Sequence, residues 1–107
     1  MEAIHVGRAA AQTGWSPRML RYIERAGLVV PARTAGGYRR YGLKELNQLR
    51  SLRELLRRFD IEISDVAFAA GLRRDGALRA AVDSWLAGRE LAALEWEQRK
   101  HERLLAA

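Results

Sequence analysis

The stretch that most constrains this chain is Ser16 to Tyr41, SPRMLRYIERAGLVVPARTAGGYRRY. Ser16 can accept a hydrogen bond from the free N–H groups of a first helical turn. Pro17 suits the first helical position because it has no N–H to leave unpaired there. From Pro17 onward the spacing predicts a helix. Arg18, Arg21, Tyr22 and Arg25 fall at i, i+3, i+4 and i+7 and so share one face, while Leu20 and Ile23 look towards a core. Gly27 is expected to end the helix as a left-handed residue, and Pro31 opposes an early restart. The run from Arg33 to Tyr41 contains Gly36-Gly37, a turn signal that predicts a small β-hairpin. A helix with a basic, aromatic-bearing face followed by a basic hairpin is the expected form of a winged helix-turn-helix.

Upstream, residues 4–13 (IHVGRAAAQT) read as a short helix whose alanines permit close approach of a neighbour, with Thr13-Gly14 as its break. Helix, tight turn with glycine, helix is the arrangement in which the second helix enters the major groove of DNA. Trp15, in the turn, is expected to pack between the two helices. Charge supports a polyanionic partner: the net is +6 over 107 residues, and the first 60 hold 12 Lys+Arg against 5 Asp+Glu. The remainder holds 7 against 8, so the nucleic-acid signal lies in the first half. Cysteine is absent, which excludes disulfides, thiolate metal sites and thiol redox sensing. His5 and His101 lie far apart in sequence, so no metal cluster and no cofactor are expected. No apolar stretch reaches the length of a membrane span and the N-terminus lacks a signal-peptide pattern, so a cytoplasmic, nucleoid-associated location is expected.

Downstream, Leu43 to Arg58 reads as a longer helix with Leu43, Leu46, Leu49, Leu52 and Leu56 as its apolar stripe. Gly42 offers no side-chain cap, so a frayed start is expected. Arg50, Arg53, Arg57 and Arg58 lie off the stripe, and each is open to two readings, a solvated face or a phosphate contact. Residues 59–63 read as a turn with buried apolar members. Ser64 to Leu72 reads as a short helix ended by Gly71, and Arg73-Arg74-Asp75-Gly76 as a polar link. Residues 77–106 read as helix again. Leu78, Val82 and Trp85 have coiled-coil spacing, as do Leu91, Leu94, Gln98, His101 and Leu105, but the two runs do not share a heptad frame. A kink, break or register shift is expected at Gly88. Trp85, Trp96 and the leucines form more apolar surface than a lone surface helix carries, so a partner is expected to cover them.

The residues RMLRYIERAGLV and GGYRRY, with Val6-Gly7-Arg8-Ala9-Ala10, Thr13-Gly14, Ser16-Pro17 and Pro31 in order before and between them, resemble the MerR family of transcription regulators. The resemblance covers about residues 4–72. It implies a winged helix-turn-helix, a second helical pair acting as another wing, and a helix forming an antiparallel coiled coil across a dimer. It further implies a palindromic promoter whose over-long spacer is bent and untwisted for the polymerase holoenzyme. By position, Arg18, Arg21 and Tyr22 fall on the recognition helix and Tyr38 and Arg39 on the wing. The chain departs from the pattern at Ile23, where a second aromatic is common, at Gly42 in place of a Ser or Thr cap, and at Asp60 and Glu62 in place of Gly and Ser.

The sequence therefore predicts a mainly α protein. A winged helix-turn-helix with a small hairpin occupies residues 1–75, and a coiled-coil-like dimerisation helix occupies 76–107. The expected DNA-binding residues are Arg18, Arg21, Tyr22, Arg25, Tyr38, Arg39, Arg40 and Arg53. For Arg25 the competing role is a pair with Glu24 or plain solvent exposure. Tyr41 is expected in the core. The expected dimer residues are Leu78, Val82, Trp85, Leu91, Leu94 and Leu105. The leading function is a transcription regulator acting as a homodimer on promoter DNA, without a metal or small-molecule sensor of its own. The alternatives are an excisionase-like protein that bends DNA architecturally, and an interaction module bound by an antirepressor or other protein regulator. No constellation suggests an enzyme.

Overall fold

A computed structural model describes residues 2–106. In chain order the elements are α1 (Val6–Thr13), α2 (Pro17–Arg25), β1 (Ala32–Arg33), β2 (Arg39–Arg40), α3 (Leu43–Phe59), α4 (Ile63–Arg74) and α5 (Gly76–Ala106). They form two compact units, one up to Ala70 and one from Gly71 onward.

Helix α1 starts two residues later than the sequence predicts, because Ile4 pairs with Tyr41. Ile4 N–H donates to the Tyr41 carbonyl at 2.9 Å, and Tyr41 N–H to the Ile4 carbonyl at 2.7 Å. Extended backbone that completes a ladder cannot also begin a helix. At the far end Gly14 takes a left-handed conformation (φ 78°) and its N–H reaches the Ala10 carbonyl.

Helix α2 is capped as expected at both ends. Ser16 Oγ accepts from Met19 N–H at 3.1 Å, and Pro17 opens the first turn. Gly27 is left-handed (φ 72°). Its N–H bonds the Glu24 carbonyl while Leu28 N–H bonds that of Ile23, the paired bonds that satisfy a helix C-terminus. The hairpin pairs Ala32 with Arg40 and Arg33 with Arg39, antiparallel. At its tip the Thr34 carbonyl accepts from Gly37 N–H, Thr34 Oγ1 accepts from Tyr38 N–H at 3.1 Å, and Gly37 supplies the positive φ of 88°.

Helix α3 is not left uncapped by Gly42: Glu45 reaches back so that its Oε2 accepts from Gly42 N–H at 3.0 Å, half of a capping box. Its C-terminus turns on Asp60, itself left-handed at φ 52°, a conformation that aspartate tolerates better than most residues. The core comprises Ala9, Ala10, Leu20, Ile23, Val29, Tyr41, Leu46, Leu49 and Leu52, with Trp15, Ile63 and Val66 packed against it. Burying each of the large aliphatic side chains contributes about 1.5–3 kcal/mol. Leu43, in the first turn of α3, is exposed, and Leu56 is half-buried.

Three expectations are corrected. Phe59 and Ile61 are exposed rather than buried, because Phe59 completes α3 on its outer side and Asp60 reverses the chain there. Helix α4 runs through Gly71 to Arg74, so the four-residue link reduces to Asp75. Asp75 ends one helix, its N–H on the Gly71 carbonyl, and caps the next, its Oδ1 accepting from Leu78 N–H at 3.0 Å. Helix α5 is unbroken through Gly88. An isolated glycine costs a helix only about 1 kcal/mol, which the remaining residues of a 31-residue helix absorb.

Candidate nucleic-acid interface

The turn between α1 and α2 is fastened to α3 from both sides. Trp15 Nε1–H donates to the Leu49 carbonyl at 2.9 Å, and Arg53 Nη1–H donates to the Thr13 carbonyl at 3.3 Å. Trp15 thus packs on α3 and the core rather than only between the two helices, because its indole N–H finds an acceptor there. Thr13, buried at the end of α1, satisfies its hydroxyl on the Ala9 carbonyl at 2.7 Å. Leu49 and Arg53 are one helical turn apart, so one face of α3 holds both fastenings. Arg53, expected from sequence at the DNA, is exposed, and its guanidinium lies over Gly14 with Nη1 on the Thr13 carbonyl.

With Leu20 and Ile23 buried, α2 turns Arg18, Arg21 and Arg25 outward. None of the three forms an ion pair among the described residues. Arg18, Tyr22 and Arg25 line one open hollow with Ser16, Met19 and Ile63 at the start of α4. Tyr22 is half-buried. Arg25 does not pair with Glu24, because successive helical residues point about 100° apart.

Glu24 instead reaches the wing. Its Oε1 accepts from Arg33 Nη2 at 2.9 Å and lies 3.0 Å from Arg39 Nη2; Arg39 Nε–H is shared between Oε1 and Oε2 at 3.1 and 3.2 Å. Arg33 also donates from Nη1 to the Gly37 carbonyl at 2.8 Å, tying the wing tip to the same carboxylate. Arg39, expected at phosphate, is therefore half-buried in an internal ion pair. Arg40, its neighbour on β2, points the other way, into a hollow lined by His5, Arg8 and Gln12. Tyr38 is exposed on the wing. Beneath the cluster, Tyr41 is in the core as expected, and its hydroxyl has no hydrogen-bond partner among the described residues. Burial chiefly, and then the nearby Glu24 carboxylate, push the Tyr41 hydroxyl pKa above its ordinary value of 10.0; Arg39, Arg33 and Arg21 pull the other way.

Sequence reasoning missed the role of Glu24 and Arg33. The available signal was that Glu24 lies one turn after Leu20, on the core side of α2 rather than on the basic face. On α5, Leu78, Trp85, Leu91, Leu94 and Leu105 are exposed in the single chain and Val82 is half-buried.

Helix, fastened turn, helix and wing, with free cations on the outward side of the second helix, define a winged helix-turn-helix of the DNA-binding kind. Residues 4–68 match the MerR HTH family of regulatory proteins, and the chain belongs to that family. It is 43% identical over 51 residues to the HTH-type transcriptional regulator HmrR of Sinorhizobium medicae, a stretch covering 47% of this chain and 35% of that protein. The matched stretch is thus about a third of that relative's length. The crystal structure of the HTH-type transcriptional regulator SkgA from Caulobacter crescentus superposes with a TM-score of 0.53 at 26% identity, covering 100% of this chain and 99% of that one. HiNmlR, a MerR family regulator lacking the sensor domain and bound to promoter DNA, shares the fold at 22% identity, TM-score 0.55, over 96% of this chain and 84% of its own.

Proposed function

We propose that this protein is a sequence-specific transcription regulator that binds a palindromic promoter site as a homodimer and bends and untwists the DNA. The observation that carries the reading is the outward face of α2: three exposed arginines without ion-pair partners among the described residues, with Tyr38 exposed on the wing. An arginine at such a position can bond a guanine edge through both nitrogens, while its neighbours neutralise phosphates. The family's members are DNA-binding regulators, and HiNmlR is seen on promoter DNA. Homodimerisation is supported by the exposed leucines and tryptophans of α5, an apolar surface that a second copy of the same helix suits. Two-fold symmetry in the protein then asks for a palindrome in the operator.

Selection of bound duplexes from random-sequence DNA by the full chain tests this. The expected product is an enriched palindrome whose affinity falls by about 1–3 kcal/mol with Arg21→Ala if that side chain reads a base edge. Circularly permuted probes of the enriched site are expected to migrate as bent DNA. A pool without enrichment, or binding indifferent to Arg21→Ala, Arg18→Ala and Arg25→Ala alike, would refute it.

A further inference from the structure

The wing hairpin carries three arginines, Arg33, Arg39 and Arg40. One carboxylate, on the second helix, takes two of them. Glu24 is only 12% exposed in its side chain, and both guanidiniums contact it within hydrogen-bonding distance. A carboxylate so enclosed by cations contributes little as a surface charge. Its effect is to engage both guanidiniums, Arg39 largely covered and Arg33 still 47% exposed, and to set the spacing between α2 and the hairpin.

We infer that Glu24 is a specificity-determining residue: it sequesters Arg33 and Arg39 so that the wing is held in register with α2 instead of adding sequence-blind attraction to phosphate. This deepens the reading above and rests on it. The physical basis is the difference between the two kinds of contact. Each cation that settles on a phosphate releases counterions, strengthens binding to any sequence, and steepens the dependence of log K on log salt by roughly 0.9. A base-edge contact strengthens only the matching site. A wing whose arginines were free would gain affinity for all DNA alike, in any register. A wing fixed by Glu24 contributes only where α2 is already seated. Arg33 strengthens the arrangement because its second bond, to the Gly37 carbonyl, fixes the tip of the hairpin together with its base.

The inference contradicts the simplest reading of the wing, in which Arg39 neutralises a phosphate, and the two separate cleanly. Fluorescence anisotropy of the full chain on a random-sequence duplex, across a salt series, gives the slope for wild type, Arg39→Gln, Arg40→Gln and Glu24→Gln. Arg39→Gln is expected to leave the slope unchanged and Arg40→Gln to flatten it by about one unit. Glu24→Gln, nearly isosteric, is expected to steepen the slope by one to two units, to tighten binding to random DNA several-fold, and to reduce the ratio of operator to random affinity by about tenfold or more. The double variant Glu24→Gln/Arg39→Gln is expected to return about one unit of that steepening, the share that belongs to Arg39. A one-unit loss of slope in Arg39→Gln would overturn the inference, and so would a parallel loss of operator and random affinity in a folded Glu24→Gln. Because the Arg39→Gln arm leaves the carboxylate in place, it decides the matter even if Glu24→Gln does not fold. Random-duplex slopes are independent of whether selection finds an operator, so a failed inference is distinguishable from a failed assignment of function.

Discussion

Tyr41 is fully enclosed, yet its hydroxyl bonds to no described protein group. A buried polar group without a partner costs about 1–3 kcal/mol, so Tyr41→Phe is expected to hold or raise stability at neutral pH rather than lower it. The titration gives a second handle. Because burial raises the folded-state pKa above 10.0, the folded protein holds the phenolic proton more tightly than the unfolded chain. The stability this contributes is complete below the unfolded pKa and is lost as the pH rises beyond it towards the folded value. Chemical denaturation along a pH series is thus expected to show alkaline weakening in wild type that is reduced in Tyr41→Phe; a variant that melts well below wild type at pH 7 would show that the hydroxyl is satisfied after all. Gly14 makes the opposite case. Its backbone is left-handed, and a Cβ there would meet the Arg53 guanidinium and push it aside. Gly14→Ala is expected to destabilise by about 1–2 kcal/mol from the backbone alone, with a further loss as Arg53 is displaced from the Thr13 carbonyl. The further part should vanish in an Arg53→Ala background, and full additivity in that double-mutant cycle would rule out the coupling.

At the scale of elements, α2 is the part most legible in the sequence, because each of its determinants is local: the Ser16 cap, Pro17, the Leu20 and Ile23 spacing, and Gly27 all lie within one stretch. Ser16→Ala is expected to cost about 1 kcal/mol in thermal or chemical unfolding, and no change would mean that the Met19 N–H is satisfied elsewhere. The boundaries of α4 and α5 were less legible, since Gly71, Gly76 and Gly88 each resemble a stop. Glycine ends a helix only where it takes positive φ, as Gly14 and Gly27 do, and the three later glycines do not. The Glu24 cluster was hidden for another reason: its partners stand nine and fifteen residues away and meet only once the hairpin has folded back. Likewise the fastenings of the turn join residues 34 and 40 apart, beyond any periodicity argument. Among the candidate contacts, the outward placing of the α2 arginines was readable from spacing, whereas the ion pair of Arg39 with Glu24, and the bond from one Arg53 nitrogen to the Thr13 carbonyl, depend on tertiary neighbours.

For the whole molecule, every member of the buried core lies between Ala9 and Leu52. Deletion of residues 77–107 is accordingly expected to leave a cooperatively folding domain that is monomeric or only weakly associating, as read by analytical ultracentrifugation alongside a thermal melt. A truncated chain that dimerises with undiminished affinity would place the interface outside α5. One feature of α2 bears on how such a protein diversifies. The side chains that make it fold, Ser16, Pro17, Leu20 and Ile23, and those it turns to solvent, Arg18, Arg21 and Arg25, are separate sets on separate sides of one helix. On the function proposed above, randomising the outward three is therefore expected to sample new operators without sampling unfolded proteins, so that a selection experiment retargets the chain one exposed residue at a time while its scaffold stays as it is.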